Sequence, residues 1–599
     1  MTNDNDNSPR WDLTALYRSD DDPAIDRDLD LAARRAESLR KAYRSRIASA
    51  PTAELIRQAL AAQLEVQRPL LKVYGYAQLL FSADGAHEGH KQLLARVREA
   101  WSAVSEIILF LELEIVHIAD ETFDELILSP RLTDYRHYLT RLRAEKPYTL
   151  DEAVEQALKR KDLSGKEAFS QLFDELTAAL RYTFTMPGEK VPRQVSGEEI
   201  LALLYHPDAP LREAAFTTYL DEHARQGLVL TSCFNNILLD HGREAELRNY
   251  PELMTPTHLS SETEPEMVTR MMAVTEDNYG LAQEYFRLKA ELLGVERLKN
   301  TDLYAPLGTA ARKVSYAEAQ QLVLAAYGGF SPRLAQLVTG FFDAGRIDPF
   351  PRDGKSGGAF CLGVLPEYPP YLLLNHTDSL RDVTTLAHEL GHGVHFALSG
   401  RQNLYYYHAP LPLAETASVF GEMLLTRHLL DHEDDPALKV ELLCAKLEDI
   451  IATTFRQNVL TRFELAAHRL RGERLLAAED FCDLWWQENR KLFGDAVTMI
   501  EAYRWGWSYI SHFIHARFYC YSYVFGELLT LSLYRRYQKM GAEFVPLYEE
   551  LLAAGGSQSP QELLRPFGID LDAADFWQQG YEVVRELLRE LRGALAELN

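Results

Sequence analysis

Cysteine is scarce, with five residues in a chain of 599. Cys233, Cys361, Cys444, Cys482 and Cys520 lie far apart, are odd in number and form no CxxC pair, which argues against a disulfide framework or a thiolate zinc site and leaves reduced thiols. Long apolar runs are missing too, and the start, MTNDNDNSPRWDL, lacks the basic-then-apolar order of a secretory leader. The expected compartment is therefore the cytoplasm. Positive charge is short: 63 Lys and Arg against 88 Asp and Glu give a net charge of −25. Such a surface repels phosphate backbones and anionic lipid, and no basic run with interleaved aromatics offers a local exception, so neither nucleic acid nor membrane is an expected partner. With no internal repeat of roughly 20–50 residues and no low-complexity tail, solenoids and arrays also lose weight.

What is present reads as a soluble globular chain, 47 % apolar and 25 % charged. Its length is well past the point at which one hydrophobic core stops growing, so two packed lobes or one large helical body are expected. Apolar residues recur at three- and four-residue spacing, most plainly over 53–80 and 90–118, so the fold class is mainly α. Turn chemistry breaks the pattern at 49–51, 129–130, 186–192 and 207–210. The stretch RYTFTMPGEKVPRQV (181–195) suits a β-hairpin around Pro187 and Gly188. A boundary near residue 195 separates an expected N-terminal helical domain, 1–195, from a second domain, 196–599, that holds most of the His and is richer in aromatics. Residues 343–375 are dense in Gly and Pro, and β-prone runs at 359–362 and 371–374 point to a small sheet beside helices.

The segment TTLAHELGHGVHFALSG (384–400) carries the chemistry. His388 and His392 stand one turn apart on one helix face, where two neutral imidazoles reach a single tetrahedral zinc ion. Glu389, roughly 100° around the helix, can lean over the open coordination position as general base, taking the proton of a water acidified by the metal. Val383, Leu386, Ala387, Leu390, Val394 and Ala397 give the helix apolar residues at helical spacing, so it should be largely buried, where unpaired ionisable groups are costly.

A catalytic zinc needs a third ligand. The metzincin pattern demands Gly and His three and six positions after His392, but His395 and Leu398 stand there. A glutamate from a following helix is the remaining common solution, and LPLAETASVFGEMLL offers Glu415 and Glu422, seven residues apart on one face. Glu415, near the helix start, reads as the ligand and Glu422 as the residue orienting an imidazole, although the roles could be exchanged. His395, two turns from His388, fits either a supporting donor or a buried histidine.

Farther on, WSYISHFIHARFYCYSYVFGELL places His512, His515, Tyr519, Tyr521 and Tyr523 in one run, any of which could donate a hydrogen bond to a developing oxyanion.

Together these segments resemble the oligoendopeptidase F-like branch of the thimet oligopeptidase family of zinc peptidases. LAHELGHGVH is similar to the family's metal helix and LAETASVFGEMLL to its third-ligand helix, GKSGGAFC and YLLLNHTDSLRDV to the strand region upstream, and RWDLTALY to its start. The resemblance implies His388, His392 and Glu415 as ligands of one Zn2+ per chain, Glu389 as base, and His512 and Tyr523 as stabilisers of the oxyanion. The histidine-to-tyrosine spacing is about one residue longer than the family's, which keeps His515, Tyr519 and Tyr521 open. The resemblance further implies a large two-lobed helical fold with a deep cleft, a GKSGGAFC strand edge that pairs with substrate backbone, and hydrolysis of internal bonds in short peptides. Against it stand a zinc carboxypeptidase or peptidyl-dipeptidase on a related fold, which would need a basic residue to hold the substrate carboxylate, and a peptide-binding module without turnover. The oligomeric state is not legible.

Overall fold

The computed structural model describes residues 9–307 and 313–598; the polar start, residues 1–8, lies outside them. Helices account for 72 % of the chain. Three small sheets are found among the described residues, and no helix among them is long and apolar enough to cross a membrane.

The chain forms two compact units, each assembled from three segments. One comprises Met1–Glu152, Ala311–His432 and Leu533–Asp570, the other Ala153–Ala310, Glu433–Ser532 and Leu571–Asn599. The division thus differs from a single cut near 195, a position inside the second unit. There Tyr182–Phe184 and Arg193–Val195 pair antiparallel as the hairpin expected for this stretch, with Gly188 in its loop at φ 80°. A chain that returns to each unit twice leaves no composition step at the crossings, so periodicity cannot mark them.

In the first unit, helices Pro23–Tyr43, Ala53–Ala83 and Glu88–Val116 pack on one another. The two long ones match the periodic stretches 53–80 and 90–118 to within a few residues. Ala32 and Ala36, one turn apart and without exposed surface, join Ala59 and Leu60 in one apolar cluster, the small side chains bringing the helices close. Thr52 caps the Ala53–Ala83 helix by accepting from Leu55 N–H at 3.2 Å, which explains the break before it.

The Gly- and Pro-rich block folds into the expected small sheet. Tyr371–Leu373, buried along its length, is the central strand; it pairs antiparallel with Phe360–Leu362 and parallel with Ile347–Asp348. Its loop is tied down from beneath. Buried Lys355 donates from Nζ to the Asp348 carboxylate at 2.8 Å and to the Phe350 carbonyl at 2.8 Å, while Arg352 makes two 2.7 Å bonds to the same carboxylate. Two cations thus hold one buried anion, and further bonds from Arg352 to the Ala83 carbonyl and from Ser356 N–H to the Ser82 carbonyl strap the loop to the end of the Ala53–Ala83 helix.

The central strand and one outer strand of this block pack on one helix. Leu380–Ser399 packs against Phe360–Leu362, Tyr371–Leu373 and the helices Tyr316–Phe330, Pro332–Asp343, Thr416–His432 and Phe544–Ala553. It starts with a capping box in which Ser379 Oγ accepts from Asp382 N–H and the Asp382 carboxylate accepts from Ser379 N–H. Of its expected apolar face, only Ala397 is exposed.

The second unit is built around aromatic stacking. Phe234 lies against Phe463, Phe481, Trp507 and Phe513 with ring centroids between 4.9 and 6.1 Å. Helix Pro436–Ile450 runs through a π-turn, Ile451–Phe455, into helix Arg456–Glu473.

Candidate metal centre

His388 and His392 lie on the Leu380–Ser399 helix with rings 4.9 Å apart. Glu415 stands at the junction between the short helix Leu411–Ala414 and the helix Thr416–His432. Its Oε2 is 3.4 Å from His388 Nε2 and 3.5 Å from His392 Nε2, and the three donor atoms all lie within 4.8 Å of one another. That approach depends on Gly391 and Gly421. A Cβ on Gly391 would collide with the Ala417 carbonyl and Ser418 Cα, and one on Gly421 with the Tyr327 hydroxyl, whose own hydrogen bond goes to the Ala387 carbonyl at 2.9 Å.

Each ligand candidate has a support. His388 Nδ1 faces Glu422 Oε1 at 2.6 Å, so a proton sits on Nδ1 and Nε2 is the nitrogen turned to the cluster. Ser418 Oγ donates to Glu415 Oε2 at 2.7 Å. The Ala414 carbonyl is in hydrogen-bonding contact with both His392 and His395, placing His395, which is buried, behind its neighbour. Ser418 and Ala414 escaped the sequence reading; Ser418 was findable as a hydroxyl one turn after the acid, the carbonyl was not.

Glu389 is 6 % exposed, and its Oε2 has no hydrogen-bond partner. Burial pushes its carboxyl up to about 7, opposed by His388 and reinforced by Glu415 and Glu422. Burial alone would lower His388, but the hydrogen bond and charge of Glu422, with Glu415 and Glu389, carry it up to about 9. Burial brings His392 down to about 4 against the pull of Glu415. Three carboxylates around two imidazoles form a cluster that favours added positive charge. Two nitrogens and one oxygen, with the far nitrogen of His388 pinned, are a donor set that fits a divalent metal ion.

The tyrosine run belongs to the second unit. His512 Nε2 lies 3.3 Å from the Tyr523 hydroxyl, and Tyr519 packs its ring on both. Burial lowers His512, as do the charges of Arg456 and His515. His515 instead meets Asp174 Oδ1 at 2.9 Å, and Tyr521 is in the core with its hydroxyl 3.0 Å from Thr263 Oγ1. The run therefore groups His512, Tyr519 and Tyr523 and sets His515 and Tyr521 apart. A second group of donor atoms, on Asp20, His87 and His90, also gathers within 4.8 Å and was not read from the sequence.

Comparison with known proteins adds family evidence. The model described as peptidase family M3 matches residues 202–583, and one described as oligopeptidase F matches 114–182, the two lying on either side of residue 195. The chain is 24 % identical to oligopeptidase PepF of Bacillus subtilis, over 98 % of this chain and 87 % of that protein. It is 26 % identical to group B oligopeptidase PepB of Streptococcus agalactiae, over 89 % of each. Its fold is similar to a solved structure from Chlamydophila abortus, with a TM-score of 0.85 at 23 % identity over 98 % of both chains, and to oligoendopeptidase-F from Enterococcus faecium, with a TM-score of 0.70 at 24 % identity over 96 % of this chain and 98 % of that one.

Proposed function

The chain belongs to peptidase family M3 and is a peptidase, and on that premise we propose that it is a zinc-dependent endopeptidase cutting internal bonds of short peptides. The observation that carries the reading is the convergence of His388, His392 and Glu415 beside a buried glutamate with an unpartnered oxygen. His388, His392 and Glu415 would hold the ion. Bound there, zinc supplies Lewis acidity toward a carbonyl and toward water.

The protein's own groups do the rest. Glu389, poised near neutrality, takes a proton from the attacking water and returns it to the leaving amine. Glu422 holds the His388 tautomer and Ser418 the Glu415 carboxylate. Tyr523 donates its hydroxyl proton to the developing oxyanion and His512 stabilises it through the phenol, with Nε2–H donating to the Tyr523 oxygen, roles supported by their mutual contact and by the sequence resemblance. Phe360–Leu362, an outer strand of its sheet, pairs with the substrate backbone.

The test is hydrolysis of an internally quenched, end-blocked short peptide, with metal analysis before and after chelation and zinc restoration. Internal cleavage with one zinc per chain and chelator-reversible loss is expected. Bound zinc without cleavage of blocked peptides would replace the reading with carboxypeptidase, peptidyl-dipeptidase or binding chemistry, and protein free of metal without prior chelation would remove the site.

A further inference from the structure

The second unit contains a cavity of about 260 Å³ that the proposed chemistry does not use. An apolar cavity of about 150 Å³ already binds benzene, so this one has room for a large apolar side chain. Its walls are apolar and aromatic, with Phe216, Phe286, Leu303 and Phe493 among them, and Arg456 and Asn300 stand in that lining. The π-turn Ile451–Phe455 delivers Arg456: Ile451 and Ala452 line the same cavity, and such turns commonly re-aim side chains at binding sites.

One cation in this wall lacks a counter-ion and one amide donor lacks an acceptor. Arg456 makes a 3.4 Å bond to the Tyr509 hydroxyl and contacts Tyr503, and no carboxylate among the described residues lies within ion-pair distance of it. Glu448, on the same wall, is engaged by Lys289 Nζ at 2.5 Å and by the Tyr285 hydroxyl. Asn300 is 6 % exposed; its Oδ1 accepts from Ile500 N–H at 2.9 Å, which fixes the amide's orientation, and its Nδ2 has no partner. A guanidinium without a counter-ion and a buried amide donor without an acceptor each cost free energy unless a ligand supplies oxygens. In a chain of net charge −25 such a locus is also what an anion requires to approach at all.

We infer that this cavity binds a free carboxylate carried on an apolar residue, the C-terminal end of a short peptide, with Arg456 as its ion-pair partner and Asn300 Nδ2 as a further donor. The peptide identity rests on the peptidase reading above; the carboxylate chemistry does not. The end bound is that of the substrate or that of a released product, two sources with the same recognition.

The test reads binding rather than turnover, so it stands whether or not the peptidase reading does. The intact protein is titrated by calorimetry with N-acetyl-L-phenylalanine and with its amide. The acid should bind about tenfold or more tightly than the amide, the scale of one charge-assisted pair. Arg456→Met should erase that preference, Arg456→Lys should keep part of it, and Asn300→Asp, which can still accept from Ile500 N–H, should weaken the acid selectively. Circular dichroism checks that each variant is folded. Cleavage of one short peptide as its free acid and as its C-terminal amide assigns the source: a lower KM for the acid that Arg456→Met removes means the substrate's own end, and equal KM for the two with inhibition of both by the added acid means a product site. Equal affinity for acid and amide, or a preference that survives Arg456→Met, overturns the proposal.

Discussion

His388 Nδ1 and Glu422 Oε1 are 2.6 Å apart, a short charge-assisted bond between helices that the chain separates by 34 residues. It fixes which imidazole nitrogen faces the cluster. Removing it in Glu422→Ala should cost about 10–100-fold in metal affinity. Glu422→Gln, whose amide oxygen still accepts, should lose less. Competition with a chelator of known affinity measures both, and equal losses for the two variants would mean that the carboxylate acts through its charge rather than by orienting the ring.

Glu389 has an oxygen with no partner and a carboxyl raised to about 7 by burial. Glu389→Gln keeps the shape and removes the base. Hydrolysis should fall by about a thousandfold or more with metal content unchanged. Wild-type turnover in this variant would sink the general-base assignment.

Tyr523 is held by His512 at 3.3 Å with its side chain partly exposed. If its hydroxyl meets the oxyanion, Tyr523→Phe should lower kcat by about a hundredfold and leave KM and metal content nearly unchanged, because the contact strengthens in the transition state. A change confined to KM would assign Tyr523 to substrate positioning instead.

Much of this was legible in the sequence because the relevant signals are local. The i, i+4 histidines and their apolar neighbours specify a helix and its face, and Pro and Gly mark the hairpin and the small sheet. What was not legible depends on distant chain segments meeting. The Asp348 carboxylate held by Arg352 and Lys355 could be guessed from neither charge pattern nor spacing, and Asn300 looks like any polar loop residue until Ile500 N–H occupies its oxygen. The two units escaped for the same reason, since each is sewn from three separated segments.

Gly391 illustrates how packing overrides propensity. In the interior of an exposed helix, Gly→Ala stabilises by about 1 kcal/mol. Gly391→Ala gains that term but drives a methyl into the Ala417 carbonyl and Ser418 Cα, backbone atoms that cannot rotate away, at a cost of about 1–3 kcal/mol or more. Lower thermal stability and weaker metal binding are expected together, because the same collision pushes Glu415 from the histidines. Gly242→Ala, in the helix Gly227–Arg248 with open space at its Cβ, should raise stability. If both variants shift Tm in the same direction, the close approach is not what requires glycine at 391.

Glu464 gives the chain a pH dependence away from the metal. It has no exposed surface; Oε1 accepts from Phe518 N–H at 2.9 Å and Oε2 has no partner. The bond also holds Phe518 at φ 56°, a left-handed conformation that non-glycine residues rarely adopt. Burial pushes the Glu464 carboxyl up to about 8, against the opposing Phe518 N–H and Arg517 charge. An unfolded glutamate titrates at about 4.3, so the fold accommodates the neutral acid. The stabilisation is fully present below the unfolded value and is lost as pH rises through about 8. Glu464→Gln stays neutral at every pH and can still accept from Phe518 N–H. Relative to that variant, the wild-type protein should lose about 1–3 °C of Tm between roughly pH 5.5 and 8.5. A difference in Tm that does not change across this range would show that Glu464 is already ionised in the folded protein at the acid end, and that Arg517 rather than burial governs it.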